Sequence, residues 1–567
     1  MEKEIHEYFT AIDWAVVGGY LLLTTWVGHL MKGKQASIHD FFLGGRSLPW
    51  PAVSGSIIAT EISGVTFIGV PAMVFAMNGN FTYLQWAIGS ILARVLVGWF
   101  FVRVYYENEI YSPYDYMGMR LGNAAKTLTT ILFTIGSILA QSVRVLIAAI
   151  PLELVTGMPF WLCIIIIGLF AIGWTLMGGM RTVIWTDVMQ FILFLVGGVL
   201  CFIVIAMNLD GGWDTIVDTG NRFDRFRIID GRLDPTLSMT LWVAIIAVPF
   251  QNLGIFGTDQ LMAQRMFCCR NAKAASKAIV TSSFSQVITL LMLMVGAALF
   301  AHYQQNGFSD RELVKILEVK GDTDSEISDN LAEVLAEQPI SKHPVTGEES
   351  GLPTPKKGDY IFPIWIVTNL PVGLRGLILA AVFAAAISSL DSILAALSQT
   401  TLSLFYHPER GGSHLDEATM LRRSRILVVG WGLFLTAFTF VIEASRGNFD
   451  IVPLAFAMTA YTVGPILAIF VCALGGRVSF RGLLIGTIVS MSLTMIVQTP
   501  VWNLFAAMGM SLEWLGHLPT YEYSVNETTG KGAIKALIAF PWMWPVTTVL
   551  TLAFGLFVPG RSKPLDG

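Results

Sequence analysis

The sequence predicts an all-α polytopic membrane protein with about 13 transmembrane helices. Of its 567 residues, 54% are hydrophobic and 13% are charged, whereas soluble domains carry about 25% charged residues. Apolar runs long enough to cross a bilayer follow one another along most of the chain. Two of these runs, five spans apart, are interrupted by polar residues and glycines. Paired interruptions of this kind are typical of transporters built from inverted repeats.

The apolar runs divide the chain into its predicted parts. They occupy residues 11–31, 49–77, 81–104, 124–156, 159–179, 183–208, 236–262, 273–302, 362–404, 420–444, 449–472, 479–500 and 535–558. We predict a leading helix with its cytoplasmic loop (1–48), a first half (49–208), an extracellular loop (209–235), a second half (236–472) that includes the extracellular loop 303–360, and two trailing helices with an extracellular loop (473–567).

Basic residues in the short loops predict the orientation. Lysines and arginines gather in alternate loops, at Lys32, Lys34, Arg46, Arg103, Arg120, Lys126, Arg265, Arg270, Lys273, Lys277, Arg422, Arg423, Arg425, Arg477 and Arg481. Cytoplasmic loops are enriched in these two residue types. We therefore expect an extracellular N-terminus, a cytoplasmic C-terminus and a location in the cell membrane.

The composition also argues against several classes of function. The five cysteines lack the spacing of a metal site or a disulfide framework. No basic patch with interleaved aromatic residues indicates nucleic acid. The intramembrane carboxylates have no histidine partner in the sequence, so we expect no enzymatic activity. The expected partners are the lipid bilayer and a small-molecule solute, and no obligate protein partner is evident.

The two interrupted spans predict a solute site. The second span carries Thr60-Glu61-Ile62-Ser63-Gly64 at mid-membrane, followed by Thr66. Irregular backbone at that depth is tolerated where it lines a cavity or is buried in protein. The seventh span has a similar stretch, Pro249–Gly257, which contains Gln251 and Asn252. Kinks alone would not need these polar side chains, so both stretches indicate a site near the membrane midplane.

Three further polar residues lie inside spans and leave alternatives open. Asp187 is near the start of the sixth span, Arg144 lies in the fourth and Gln85 in the third. Arg144 either faces the cavity or neutralises Glu61 or Glu153. Gln85 is either a solute ligand or an anchor at the membrane interface.

The ninth span contains the stretch AAVFAAAISSLDSILAALSQTTLS, residues 380–403. At helical spacing one face carries small and hydroxyl residues, namely Ala385, Ser388, Ser389 and Ser392. Asp391 lies at the edge of this face. Hydroxyls and carboxylates are hard oxygen donors of the kind that small cations bind, and an intramembrane carboxylate indicates function. We favour a cation site over a packing seam of small residues.

Several motifs carry a resemblance to a known family. FFLGGRSLPW precedes the second span, IATEIS lies within it, and WTDVMQ, GTDQLMAQR and AAISSLDS follow in order. With these motifs the chain resembles the sodium:solute symporter family, which includes the sodium/glucose and sodium/sialic acid cotransporters. The resemblance implies a ten-helix core of two inverted repeats (5+5) with discontinuous first and sixth core helices. One helix would precede this core and two would follow it.

The same resemblance implies where sodium binds. Carried over by motif, the family's sodium site falls on the carbonyls of Ala59, Ile62 and Ala385 and on the side chains of Ser388 and Ser389. A second sodium site, found in some members, would fall on Asp187, Ser388, Asp391 and Ser392. Family members usually carry a small or hydroxyl residue at the position of Asp391. No lysine or arginine lies within one turn of Asp391 along its helix, so we predict a second sodium ion there. A proton held between Asp187 and Asp391 is the alternative.

The solute is predicted only as a class. Thr66, Gln85 and Asn252 fall where sugar-transporting members place polar ligands, but Ile255 stands in place of a gating tyrosine and Ala457 in place of a glutamine. Arg144 lies about one helical turn from the arginine that sialic acid members use for a carboxylate. We predict a small polar organic solute, a carbohydrate or an organic anion, bound by Glu61, Ser63, Thr66, Gln85, Arg144, Gln251 and Asn252.

The predicted function is secondary active transport by alternating access, in which inward sodium flow drives solute uptake. Two alternatives remain, a proton-coupled symporter and a transporter-like membrane solute sensor. A channel is disfavoured because the polar residues gather at one depth and do not follow a continuous pore.

Overall fold

A computed structural model of the chain describes residues 4–31, 43–108, 110, 112–176, 180–317, 324–337, 340–342, 347, 349–353, 355, 357–405, 417–446, 451–475, 478–518, 520–525 and 532–559. Lys32, Lys34 and Arg477, used above to predict orientation, lie outside these residues. For residues 384–388, which include the predicted sodium ligands Ala385 and Ser388, the backbone is described and the side chains are not.

Helices dominate the described fold. In chain order they are α1 (Ala11–Met31), α2 (Trp50–Glu61), α3 (Val65–Phe75), α4 (Phe81–Glu107), α5 (Pro113–Leu121), α6 (Asn123–Thr156), α7 (Phe160–Thr175), α8 (Met180–Met207), α9 (Trp213–Arg222), α10 (Val243–Thr258), α11 (Gln260–Phe267), α12 (Ala272–Asn306), α13 (Asp310–Leu317), α14 (Asp324–Glu337), α15 (Ile361–Asn369), α16 (Leu374–Phe405), α17 (Glu417–Arg446), α18 (Ile451–Thr459), α19 (Val463–Gly475), α20 (Phe480–Val497), α21 (Thr499–Ala507) and α22 (Phe540–Phe557). Two antiparallel hairpins pair β1 (Ile340–Lys342) with β2 (Glu349–Pro353) and β3 (Tyr521–Val525) with β4 (Gly532–Ala536).

Within the described residues, nine helical segments are long and apolar enough to cross a membrane, one of them formed by α18 and α19 together, and the bent pair α2–α3 makes ten. The remaining predicted spans contain two shorter apolar helices, Phe160–Thr175 and Val243–Thr258, and the start of α16, Leu374–Phe383. The count of thirteen stays a prediction, as does the inverted repeat. The run 362–404 is not one helix: α15 ends before Pro371, where Leu370 adopts the extended conformation (φ −73°, ψ 149°) that a following proline favours.

The first predicted interruption breaks its span. The helix pair α2–α3 bends by 55° across residues 62–64, and Ile62 leaves the helical conformation (φ −76°, ψ 84°). A Cβ added at Gly64 would lie 3.3 Å from a methyl of Ile147 and 3.9 Å from one of Val382. The break is therefore buried between α6 and α16, as irregular backbone at this depth requires.

The second predicted interruption lies slightly further along the chain than expected. Pro249 and Asn252 are still helical, and α10 ends in a wider π-helical stretch, Leu253–Thr258. The chain breaks at Asp259, which is extended (φ −79°, ψ 131°). The Asp259 carboxylate accepts a hydrogen bond from the Leu261 amide at 2.7 Å. This N-cap starts α11 and accounts for the position of the break.

One contact between distant parts of the chain marks each end of the helix bundle. On the side where the chain begins, which we call the N-terminal side, Glu4 forms an ion pair with Arg311 at 2.7 Å. On the opposite side, the Leu48 amide donates to the Cys268 carbonyl at 3.1 Å. This second contact joins the segment before α2 to the end of α11. The assignment of these sides to the outside and the cytoplasm stays a prediction.

Candidate solute and cation sites

A cavity of about 140 Å³ lies beside both helix breaks. Six of the seven predicted solute residues line it, namely Glu61, Ser63, Thr66, Arg144, Gln251 and Asn252. The rest of the wall is largely apolar and includes Trp86, Val248, Phe256, Val452 and Phe456. Pockets for drug-sized ligands usually measure about 300–1,000 Å³, so this cavity suits a smaller solute.

Gln85 is the predicted solute residue that lies elsewhere. Its Nε2 donates to the carbonyls of Thr82 at 3.1 Å and Met239 at 3.3 Å, and its Oε1 accepts from the Asp230 amide at 3.1 Å. Gln85 thus holds the 209–235 loop against the start of α4 and does not line the cavity. Hydrogen bonds from the Arg232 guanidinium lower the pKa of the Asp230 carboxyl below its usual value, so this loop stays charged.

Glu61 forms an ion pair that was not predicted from the sequence. Arg94, fully buried on α4, forms an ion pair with Glu61. Its Nη1 donates to the Ser285 hydroxyl at 3.0 Å, and its guanidinium lies 4.3 Å from the centroid of the Phe256 ring. The sequence could have indicated this pair, because Arg94 lies inside the apolar run 81–104 and a buried charge needs a partner of opposite sign.

Arg144 is not the counterion of either acid proposed for it. Glu61 pairs with Arg94, and Glu153 pairs with Lys315 at 2.7 Å. The alternative in which Arg144 neutralises one of them is therefore wrong. Arg144 instead lies at the cavity wall, under the electrostatic influence of Asp259 at the second helix break.

Four buried polar atoms of the cavity residues have no hydrogen-bond partner among the residues that the structure describes. They are Glu61 Oε2, Trp86 Nε1, Arg144 Nη1 and Gln251 Nε2. The orientation of Gln251 is set by its neighbour, because Gln251 Oε1 accepts from Asn252 Nδ2 at 2.6 Å. Buried polar groups are normally paired, so these atoms are suited to contact a bound solute.

The predicted first sodium site has free oxygen atoms. The Ser63 amide donates to the Glu61 carbonyl at 3.0 Å and the Thr66 amide to the Ser63 carbonyl at 2.9 Å. In a regular helix these two amides would donate to the carbonyls four residues earlier, those of Ala59 and Ile62. The break therefore leaves both carbonyls without these donors. Ser389 Oγ on α16 is buried, and no described residue bonds to it. Two carbonyls and a hydroxyl of this kind fit a small hard cation.

The predicted second sodium site already holds a positive group. Arg265 Nη2 lies 3.1 Å from Asp187 Oδ2 and donates to Ser392 Oγ at 2.8 Å. Arg265 Nε donates to Ser56 Oγ at 3.0 Å, and Ser56 in turn donates to Asp187. A positive side chain from another part of the chain therefore neutralises Asp187, which a search along the helix of Asp391 does not find. The second sodium ion stays a prediction. Arg265, predicted to lie in a cytoplasmic loop, is fully buried, as is Asp187.

Asp391 is close to this group without joining its ion pair. Its side chain is 5% exposed, and it interacts with Thr175 on α7. The charges of Asp187 and Arg265 also act on it. The structure thus brings Asp187, Asp391 and Ser392 together as predicted, with Arg265 added.

The comparisons with known proteins agree with this architecture. The model of the Sodium:solute symporter family matches residues 41–314 and 342–490. The chain belongs to the sodium:solute symporter family. The predicted family is therefore confirmed, and with it sodium as the coupling ion and a multi-pass location in the membrane.

Individual relatives of this symporter are transporters. The chain is 28% identical over 432 residues to a sodium/sialic acid symporter of Proteus mirabilis, and the match covers 76% of this chain and 78% of the relative. It is 24% identical over 491 residues to sodium-coupled monocarboxylate transporter 2 of Mus musculus, covering 86% and 72%. A solved Na⁺-coupled sialic acid symporter has the same fold, with a TM-score of 0.73 at 24% identity, covering 98% of this chain and 100% of that one.

Proposed function

We propose that this symporter uses inward sodium flow to take up a small polar organic solute that carries a carboxylate. The observation that carries this proposal is the position of Arg144 in the cavity wall, where Nη1 is buried and no described residue accepts a hydrogen bond from it. A guanidinium binds a carboxylate through charge-assisted hydrogen bonds that are stronger than neutral ones. The two acids that would have satisfied Arg144 within the protein are paired with other residues.

Sodium would bind at the first break, held by the carbonyls of Ala59 and Ile62 and by Ser389. The Ala385 carbonyl and the Ser388 side chain complete the set that the family motif implies. Both sites share the segment from Ala59 to Ser63, so the two ligands contact the same break. This arrangement supports coupling by alternating access, because each ligand would stabilise one position of the broken helix and thereby favour the other ligand.

Two relatives support the solute class. One transports a sialic acid and another is named for monocarboxylates, and both are acids. A neutral carbohydrate is the second candidate, favoured by the amides of Gln251 and Asn252 and the hydroxyl of Thr66 in the cavity wall.

Uptake into proteoliposomes with and without a sodium gradient tests the proposal. We expect sodium-dependent uptake of carboxylates and a loss of at least tenfold in their apparent affinity in Arg144→Ala, with partial retention in Arg144→Lys. Arg103→Ala, which changes an exposed arginine paired with Glu107, is the matched control and should behave like the parent. Sodium-driven uptake of a neutral sugar by both the parent and Arg144→Ala, without uptake of any carboxylate, would contradict the proposal.

A further inference from the structure

The cavity offers groups of both signs to a solute. Arg144 Nη1, Gln251 Nε2 and Trp86 Nε1 are donors without acceptors, and Glu61 Oε2 is a charged acceptor without a donor, among the described residues. The other oxygen of Glu61 is held by Arg94, which fixes the carboxylate in the cavity wall. A carboxylate on the solute accepts from such donors and leaves Glu61 Oε2 unpaired. A solute that also satisfies Glu61 Oε2 therefore carries a donor, best a cationic one, in addition to its carboxylate.

The charged residues of the cavity wall distinguish a zwitterion from a simple anion. Among the described residues that line the cavity, Arg144 is positively and Glu61 negatively charged. A zwitterionic solute brings a carboxylate to Arg144 and an ammonium to Glu61, so each new charge has a partner of opposite sign. A monoanion leaves Glu61 Oε2 without a donor and adds its own negative charge beside that carboxylate at mid-membrane, where net charge is costly.

The apolar part of the wall and the small volume limit the body of the solute. The apolar residues that line the cavity include Val248, Val452, Phe256 and Phe456, and the cavity measures about 140 Å³. An apolar side chain of a few carbons fits this surface, because burying it gains roughly 0.8 kcal/mol per CH₂ group. A long or polar side chain would lose hydrogen bonds to water there.

We propose that the solute is a small apolar amino acid bound as a zwitterion, with its carboxylate on Arg144 and Gln251 and its ammonium on Glu61. This inference rests on the proposed function and adds the ammonium and the role of Glu61. Glu61 is then a specificity-determining residue that selects amino acids over the corresponding carboxylic acids. The Glu61–Arg94 pair holds the selecting carboxylate in place.

Matched analogues of one solute test this directly on the purified full chain. Thermal stabilisation at saturating sodium is measured with L-valine, with 2-hydroxy-3-methylbutanoate, which has a hydroxyl for the ammonium, with 3-methylbutanoate, which lacks both, and with L-valinamide, which lacks the carboxylate. L-alanine and L-proline extend the series to other small apolar bodies. We expect at least one of the three amino acids to bind tenfold or more tightly than the analogues, and uptake of that amino acid to carry one net positive charge per cycle.

The outcomes separate this inference from the proposed function. Equal or tighter binding of the two carboxylic acids overturns the zwitterion and leaves a carboxylate-specific symporter. Sodium-dependent binding of neutral sugars alone overturns both. Binding of carboxylates with no response to any of the three amino acids also overturns the zwitterion.

A variant at Glu61 sharpens the test. Glu61→Gln keeps a side-chain oxygen for Arg94 but removes the charge, so the preference for amino acid over hydroxy acid should fall from tenfold or more to about one. Glu153→Gln, whose acid pairs with Lys315 at 2.7 Å, is the matched control and should keep the preference. If Glu61→Gln does not fold, the analogue series on the parent decides alone, and an unchanged preference in a folded Glu61→Gln protein contradicts the role of Glu61.

Discussion

Two neighbouring groups on α16 look alike in composition and differ in their bonding. In the first group, the carbonyls of Ala59 and Ile62 at the first helix break have lost their helical donors, and the Ser389 hydroxyl on α16 has no partner among the described residues. Around Ser392, three residues further along the same helix, the hydroxyl and the Asp187 carboxylate are both bonded to Arg265. The oxygen atoms of the first group can bind an external cation. In the second group, the Arg265 guanidinium already provides the positive charge.

This difference bears on how many sodium ions drive transport. A carboxylate in the membrane requires a positive partner, and that partner can be a metal ion or a side chain. Because Arg265 supplies the charge at Asp187, we propose one sodium ion per solute, at the first group. The second sodium ion expected from the sequence would have to bind beside Arg265 or displace it.

The largest effect we predict comes from removing that internal cation. Arg265→Ala leaves Asp187 buried without its arginine, and breaking a buried ion pair in this way costs about 3–5 kcal/mol of unfolding free energy. The measurement is unfolding of the purified protein in detergent, in choline instead of sodium. Arg103→Ala, at an exposed pair with Glu107, is the control and should cost less than about 1 kcal/mol.

Repeating the unfolding measurement in sodium tests the same comparison. If the two groups differ only in which cation they hold, sodium should stabilise Arg265→Ala more than the parent, and adding Asp187→Asn should remove both the instability and the extra sodium response. An Arg265→Ala protein as stable as the parent in choline would show that the ion pair is not what distinguishes the second group.

A smaller effect is expected at the first group. Ser389→Ala removes one neutral oxygen ligand, and we expect the sodium concentration for half-maximal uptake to rise about tenfold, which corresponds to roughly 1.4 kcal/mol. Ser398→Ala is the matched control on the same helix, since Ser398 donates to the Ser424 carbonyl at 2.8 Å and lies away from the break. Solute affinity at saturating sodium should be unchanged in both variants. An unaltered sodium requirement in Ser389→Ala would remove Ser389 from the cation site.

The features that the sequence predicted well are those that depend on neighbours along the chain. The break at Ile62 follows from a local run of polar and glycine residues, and the serine face of α16 follows from helical spacing. Most predicted solute residues meet in one cavity for the same reason, because each lies at or near a break at similar depth. Gln85 is the exception, since its partners Met239 and Asp230 belong to a distant loop.

The partners across the fold could not be predicted in this way. Arg265 is 78 residues from Asp187 and 127 from Ser392, and a search for a positive group along the helix of Asp391 does not reach it. Arg265 also lies at the end of an apolar run, where the positive-inside rule assigns it to a loop. The N-cap at Asp259 shifts the second break and draws α11, with Arg265, into the buried interior.

The smallest effect we predict concerns Asp391, whose carboxylate lies beside the second group and interacts with Thr175. We expect a sodium Hill coefficient near one in the parent, because Arg265 occupies the position of a second ion. Asp391→Asn should leave the coefficient near one and raise the half-maximal sodium concentration only a few-fold, since it removes a nearby negative charge but no predicted ligand of the first group.

Uptake measured against sodium at two pH values checks this prediction against its rivals. A coefficient near two in the parent that falls to one in Asp391→Asn or Asp187→Asn would mean that a second sodium ion binds despite Arg265, and the two groups would then be equivalent. A proton held between Asp187 and Asp391 predicts instead a coefficient near one with uptake that titrates, and loss of the titration in either asparagine variant. A coefficient near one with no change of pH dependence in Asp391→Asn would show that neither a second sodium ion nor a proton binds at the second group, as expected if Arg265 is the cation of that group.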